Sequence, residues 1–294
     1  MKIGITVPNN WGVANVLDVV ALGQQAEELG FDSVWTMDHM LNIGFLRDRL
    51  DNKPYYHPMG ILSFLAAKTR RITLGTSVMV LPYHNPIELA KYSATLDQLS
   101  GGRFILGVGA GGTREESDAL GLDFHRRGAL ANEMMRVMRE LWTSDMPAFN
   151  GANWSFDNLR FSPKPVQRPL PMWVGGASPG AMKRAATLGD GWHPNGLLPE
   201  NYRAAAEQIK AMATAAGRDP DQICFSVRAN IRLNPPAGGT PSRFDGSSQD
   251  IVDAIGDYAR VGVEHVVLSP DSGDVPRLRD KAEQIARDVI PSFR

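Results

Sequence analysis

The chain of 294 residues has a single cysteine, so no internal disulfide can form. Cys224 lies in ICFSV, where a small buried apolar residue is the ordinary reading. No segment approaches the roughly 20 continuous apolar residues of a membrane helix. The opening MKIGITVPNN has too short an apolar run for a secretory leader. Charge of one sign is also missing: 31 Lys and Arg against 32 Asp and Glu leave a formal −1 and no basic run able to track a phosphate backbone. Nucleic acid and membrane are therefore set aside as partners, and a cytoplasmic protein is expected. Catalytic signatures are missing too. No two histidines have the spacing or carboxylate company of a metal site, so no metal is expected. No serine sits in a G-x-S-x-G elbow, and no lysine ends a predicted strand, so covalent catalysis has no evident nucleophile.

What the chain has is 43% hydrophobic residues, distributed as short apolar runs that alternate with amphipathic helices. Strands are predicted at residues 2 to 7, 33 to 35, 71 to 80, 103 to 109, 172 to 176, 190 to 194, 223 to 231 and 264 to 269. Gly30 is read as the left-handed end of the first helix. Asn85-Pro86 reads as a cap and first position of a helix expected to bury Leu89, Leu96 and Leu99. A polar loop is expected from Leu41 to His57, a short hairpin in FNGANWSFDNLRFSPKPVQRPLP, and a loop in NPPAGGTPSRFDGSS. About eight strand and helix units without a composition break predict one domain, 1 to 294, folded as a TIM (β/α)8 barrel. An open doubly wound sheet is the competing architecture.

In such a barrel, function belongs to loops leaving the C-terminal strand ends. Asp38-His39, Thr76-Ser77, residues 109 to 112, residues 175 to 178 and His193 all fall there. WVGGASPGAM places glycines, Ser178 and Pro179 at a helix start, where free N–H groups suit a phosphate, although an ordinary tight turn would read the same. Gly107, Gly109 and Gly112 fit G-x-G-x-x-G, but the spacing to the next helix and strand is wrong for a dinucleotide unit. The segment after them is read as a flexible loop near a ligand. His39, His84 and His193 are placed to reach the mouth, His57 and His125 lie on its loops, and His265 starts a strand.

KIGITVPN, AEELGFDSVWTMDH, LGTSVMVLPYHNPIELAK, ATLDQLSGGRFILGVGAG and WVGGASPGAMKRAATLGDGW, in that order, closely resemble the bacterial luciferase-like superfamily. More narrowly, they are similar to its branch of oxidoreductases that use a deazaflavin, coenzyme F420. The resemblance implies a TIM barrel with insertion loops at the C-terminal rim, and a homodimer. It implies that Asp38 and His39 lie beside the reactive ring, with His39 moving a proton and Asp38 orienting it. Ser77 and Val78 match a non-prolyl cis peptide that braces the ring; Ala110, Gly111 and Glu115 match a loop along it; Gly175, Gly176 and Ala177 match amides that hold the phosphate. Members that oxidise a sugar phosphate have a catalytic Glu where this chain has Gly112, and Glu115 is not its substitute. The implied activity is hydride transfer between the deazaflavin and a small organic substrate. Trp35, Trp192 and the loop from Leu41 to His57 are expected as walls of the site. Two alternatives remain: a reduced-FMN-dependent monooxygenase fed by a separate reductase, and a cofactor-binding barrel without its own reaction.

Overall fold

A computed structural model describes residues 1–234 and 244–294. Eight parallel strands form the ring: β1 (Lys2–Thr6), β2 (Ser33–Thr36), β3 (Thr73–Thr76), β4 (Phe104–Gly109), β5 (Met172–Gly175), β6 (Gly191–His193), β7 (Cys224–Leu233) and β8 (His265–Pro270). Each pairs with the next, and β8 pairs back onto β1 with Lys2 opposite His265, so the sheet closes. Closure decides for the TIM barrel against the open sheet.

The helices are α1 (Val16–Glu28), α2 (Phe45–Leu50), α3 (Pro58–Lys68), α4 (Pro86–Ser100), α5 (Arg114–Ala119), α6 (Arg127–Thr143), α7 (Pro179–Leu188), α8 (Pro199–Ala215), α9 (Ser248–Arg260) and α10 (Val275–Asp288). Local chemistry explains their limits. The Asn85 side chain accepts from the amides of Ile87 and Glu88, and Gly101 closes α4 at φ +68°. Ser178 caps α7 by accepting from Ala181 N–H. Most of the core lies between the sheet's outer face and the helices, with Val34, Leu74, Leu106 and Val174 meeting Leu62, Leu96, Met138 and Ala185.

The bore is filled differently. Trp35 stacks on Trp173 at 5.4 Å and on His193 at 5.0 Å, and its indole N–H donates to Ser33 Oγ at 2.7 Å. Glycines make the room, since a Cβ on Gly75 would lie 2.3 Å from the Trp35 ring and one on Gly191 2.5 Å from Trp173. His265 is bonded to Ser33 Oγ at 2.7 Å, and burial pushes its imidazole down to about 3, so it stays neutral. Beneath this layer a cavity of about 510 Å³ opens at the N-terminal rim beside Lys2, Trp173, Cys224 and His265. Cys224 is half-buried there, its thiol pushed up to about 12 by burial.

Several expectations are corrected. The strand expected over 71 to 80 breaks after Thr76 at a cis Ser77–Val78 peptide and resumes only as Met79–Val80. The loop from Leu41 to His57 contains α2, whose Leu46 and Leu50, one turn apart, are both buried. The segment after the glycine motif holds α5. Leu99 is 64% exposed, because helical rotation carries it about 100° from the stripe that buries Ser93 and Ser100. The loop read from NPPAGGTPSRFDGSS lies largely outside the described residues. No described helix is long and apolar enough to cross a membrane.

Candidate active site

At the C-terminal end of β2 the chain leaves the barrel as Met37, Asp38 and His39. Asp38 is buried, and its Oδ2 accepts from the Val80 amide at 2.9 Å and pairs with His84 Nε2 at 2.7 Å. Its other oxygen, Oδ1, is buried with no partner among the described residues. Asp38 therefore orients His84, not His39 as expected. Adjacent side chains on an extended segment point in opposite directions, so neighbours in sequence find different partners.

His39 pairs instead with Glu116 from α5, through Nδ1 and Oε2 at 2.5 Å. Oε1 of Glu116 accepts from the amides of Met40 and Leu41 at 2.6 and 3.1 Å. Burial pulls this carboxyl upward. The His39 hydrogen bond and charge, with the two amides, outweigh it and hold the group below the usual range. An ionised carboxylate only accepts, so Nδ1 carries the proton and Nε2 is the basic nitrogen. The imidazole is partly exposed, with Phe45 and Tyr55 edge-on at 5.8 and 5.9 Å.

The floor is the Ser77–Val78 bulge. Its fit depends on glycine: a Cβ on Gly107 would fall 1.8 Å from the Thr76 carbonyl oxygen, on Gly109 2.7 Å from a Val78 methyl, and on Gly175 2.9 Å from another. Two glycines of the G-x-G-x-x-G match are thus spent on packing the bulge, not on a pyrophosphate. Below, a chain of hydrogen bonds fixes Ser77. Ser226 donates to the Trp192 carbonyl at 3.1 Å and so accepts from His193 Nδ1 at 2.7 Å, which leaves His193 Nε2 to accept from Ser77 Oγ at 2.9 Å. Complete burial keeps His193 neutral, in agreement with that chain. His193 lies below the mouth and does not reach into it.

Beside the bulge a cavity of about 420 Å³ is lined by Val78, Ala110, Gly111, Gly176, Arg127 and Arg184, among others, at the start of α7. Arg127 donates to the carbonyls of Gly111 and Phe124, and Arg184 to Asn132 and the Gly128 carbonyl. Neither has a described carboxylate partner, so two cations and a helix N-terminus face one cavity, a setting for an anion.

Of the expected site residues, Ser77, Val78, Ala110, Gly111, Gly175 and Gly176 come together around bulge and cavity. Ala177 follows at the exposed approach to α7. Glu115 is exposed on α5, and its neighbour Glu116 is the acid buried in the site. Trp35 and Trp192 are not walls. Trp35 plugs the bore, and Trp192 is buried against Tyr202 at 4.7 Å with its N–H on the Gly176 carbonyl at 2.8 Å. Sequence reasoning missed Glu116, Tyr55, Tyr83, Arg127, Arg184 and Arg228. The Tyr55 hydroxyl is buried without a hydrogen-bond partner among the described residues, and that of Tyr83 lies beside Ser117 and Glu116. Only Glu116 left a trace, as one of two adjacent acids four and five residues after Gly111. Among the described residues, no three His, Cys, Asp or Glu side chains converge as a metal site.

Residues 1–236 match the family model described as luciferase-like monooxygenase. A protein of Kineococcus radiotolerans named F420-dependent glucose-6-phosphate dehydrogenase is 35% identical, over 92% of this chain and 91% of its own length. A protein of the same name from Amycolatopsis mediterranei is 35% identical over 60% of this chain, and the match spans about half of that relative, 52%. A solved F420-dependent secondary alcohol dehydrogenase, in complex with an F420-acetone adduct, superposes with a TM-score of 0.83 over 100% of this chain and 99% of its own. At 21% identity that likeness speaks for the fold alone.

Proposed function

Because the chain belongs to the luciferase-like monooxygenase family, we propose from its site that it is a coenzyme F420-dependent oxidoreductase acting on a small organic substrate. The residues present fit the coenzyme. The valine-capped bulge offers a platform for a flat ring, the Asp38 Oδ1, without a partner among the described residues, offers it a polar contact, and the Arg127–Arg184 cavity suits its phosphate. Asp38, Ser77, Val78, Ala110, Gly111, Gly175, Gly176 and Ala177 would hold it. When bound, the deazaflavin supplies a ring carbon that takes or gives a hydride.

The observation that carries the reading is the His39–Glu116 pair next to that platform. Glu116 keeps the proton on His39 Nδ1, and Nε2 exchanges a proton with the substrate as general base or acid. Glu116 positions this imidazole and steadies its positive charge when it forms. Asp38, bound to His84 and Val80, anchors the end of β2 to the segment after the bulge. Gly112 is exposed and offers no acid where the resemblance puts one, which separates this substrate from a sugar phosphate.

Titration of the coenzyme-free protein with F420 and with FMN, followed by tryptophan quenching, tests the reading. Tighter binding of F420 is expected. Preference for FMN, with oxygen-dependent turnover when a reductase is added, would move the protein to the monooxygenases. Binding without turnover over a broad substrate panel would leave a cofactor carrier. A cytoplasmic homodimer is part of the same reading, and light scattering on the purified protein tests the dimer.

A further inference from the structure

Among the described residues, two guanidinium groups at the mouth have no acid to answer them. Arg228, on β7, donates from Nη1 to the Ser77 carbonyl at 3.0 Å, approaches the Met37 sulfur at 3.3 Å, and donates from Nε to Asn195 Oδ1 at 3.1 Å. Arg49, on α2, donates from Nη2 to the Asn10 carbonyl at 3.0 Å and lies 4.3 Å over the Trp11 ring. Its Nε is buried without a partner. Asn10 Nδ2 sits 3.0 Å from the Met37 sulfur, so Asn10 and Met37 link the two cations into one surface. Neither arginine has an ion-pair partner among the described residues.

Tyr55 lies at the same place, edge-on to His39, and its buried hydroxyl has no partner among the described residues. Arg49 and Arg228 are both among its electrostatic neighbours, as are Asp38 and Glu116. Those two acids are already engaged, Asp38 by His84 and Val80, Glu116 by His39, Met40 and Leu41. Burial draws the Arg228 guanidinium down to about 10 and lowers that of Arg49 as well, as expected of buried cations that no anion offsets.

We propose that Arg49, Arg228 and Tyr55 form a subsite for the carboxylate of an organic-acid substrate, placing that substrate beside His39. The proposal rests on the oxidoreductase reading above and names its substrate class. The free donors are Nη2 of Arg228, Nε and Nη1 of Arg49 and the Tyr55 O–H. They match a planar anion of two oxygens. A dianionic phosphate would meet the nearby negative charges of Asp38 and Glu116, which a single carboxylate tolerates better.

Benzoate and its neutral isostere benzamide, titrated into the F420-loaded protein with coenzyme fluorescence as the readout, test the subsite. Benzoate is expected to bind about tenfold or more tighter than benzamide. Arg49→Met should weaken benzoate by about 10- to 100-fold while leaving benzamide and coenzyme affinity within about twofold, and Arg228→Lys, which also loses part of the hold on the Ser77 carbonyl, should weaken benzoate clearly more than coenzyme. Equal binding of benzoate and benzamide would overturn the proposal. So would variants that weaken coenzyme as much as benzoate, since the cations would then serve the ring. Inorganic phosphate outcompeting benzoate would replace the carboxylate with a phosphate. Should Arg228→Lys fail to fold, Arg49→Met and Tyr55→Phe decide. If F420 does not bind at all, the oxidoreductase reading falls, and tryptophan quenching by benzoate against benzamide on the unloaded protein still decides the subsite.

Discussion

His39 and Glu116, 77 positions apart in the chain, are joined through Nδ1 and Oε2 at 2.5 Å. The acid comes from the six-residue α5, in which Glu116 and Ser117 are the buried residues. The pair fixes the tautomer of a partly exposed imidazole, so its two members should fail differently. His39→Ala removes the proton carrier and should lower kcat by about 100-fold or more, with F420 affinity little changed. Steady-state kinetics with a coenzyme titration check this, and unchanged turnover would remove His39 from the chemistry.

Glu116→Gln keeps the shape and loses the charge. It should lower kcat less than His39→Ala and shift the pH–rate profile, because the imidazolium loses its counter-charge. It should also change acid stability. Glu116 has a folded value below its unfolded one, so its ionisation stabilises above the ordinary glutamate range and that stability is lost as pH falls through the folded value. Melting temperatures taken downward from pH 5 should fall more steeply for the wild type than for Glu116→Gln.

Two buried neutral histidines give a second pH dependence with a different window. His265, at about 3, and His193, well below its ordinary value, take up protons on unfolding below about 6.5. The unfolded state then binds more protons, so stability falls as pH drops from about 6.5 towards the folded values. His265→Asn should flatten that slope, measured by urea melts at pH 7 and pH 5. An unaltered slope would mean that His265 is already protonated in the fold.

The bulge can be tested by volume. A methyl at Gly107 collides with the backbone oxygen of Thr76, which cannot rotate away, so Gly107→Ala should cost about 2 to 4 kcal/mol in a chemical melt. Gly112, with open space around its Cβ position, should accept alanine with a change within about 0.5 kcal/mol.

At the anion cavity, Arg184→Met should raise the F420 dissociation constant by about tenfold and leave kcat at saturation near wild type. Arg184→Lys should recover part of the loss. Equal affinity for wild type and Arg184→Met would place the coenzyme's phosphate elsewhere.

The barrel was legible because its strands are short apolar runs separated by capped helices, and Asn85, Ser178 and Gly101 act as caps in the structure as their residue types suggest. The rim was legible as a place, through Asp38-His39, Ser77-Val78 and the glycines after β4 and β5. The pairing at that place was not. Asp38 and His39 are neighbours in sequence, yet each finds its partner 46 and 77 positions away, in His84 and Glu116. No periodicity reports such distant matches. The tryptophans misled for a related reason: large aromatic residues next to polar rim residues suggested walls, whereas Trp35 lies over Gly75 of another strand and Trp192 packs on Tyr202.

The stacked layer of Trp35, Trp173 and His193 divides the barrel into an upper mouth and a lower hollow. The two indoles of Trp35 and Trp173 therefore stand between the lower hollow beside Cys224 and His265 and the mouth. In the function proposed above, a substrate reaches His39 from the mouth, on the other side of that layer from the lower hollow.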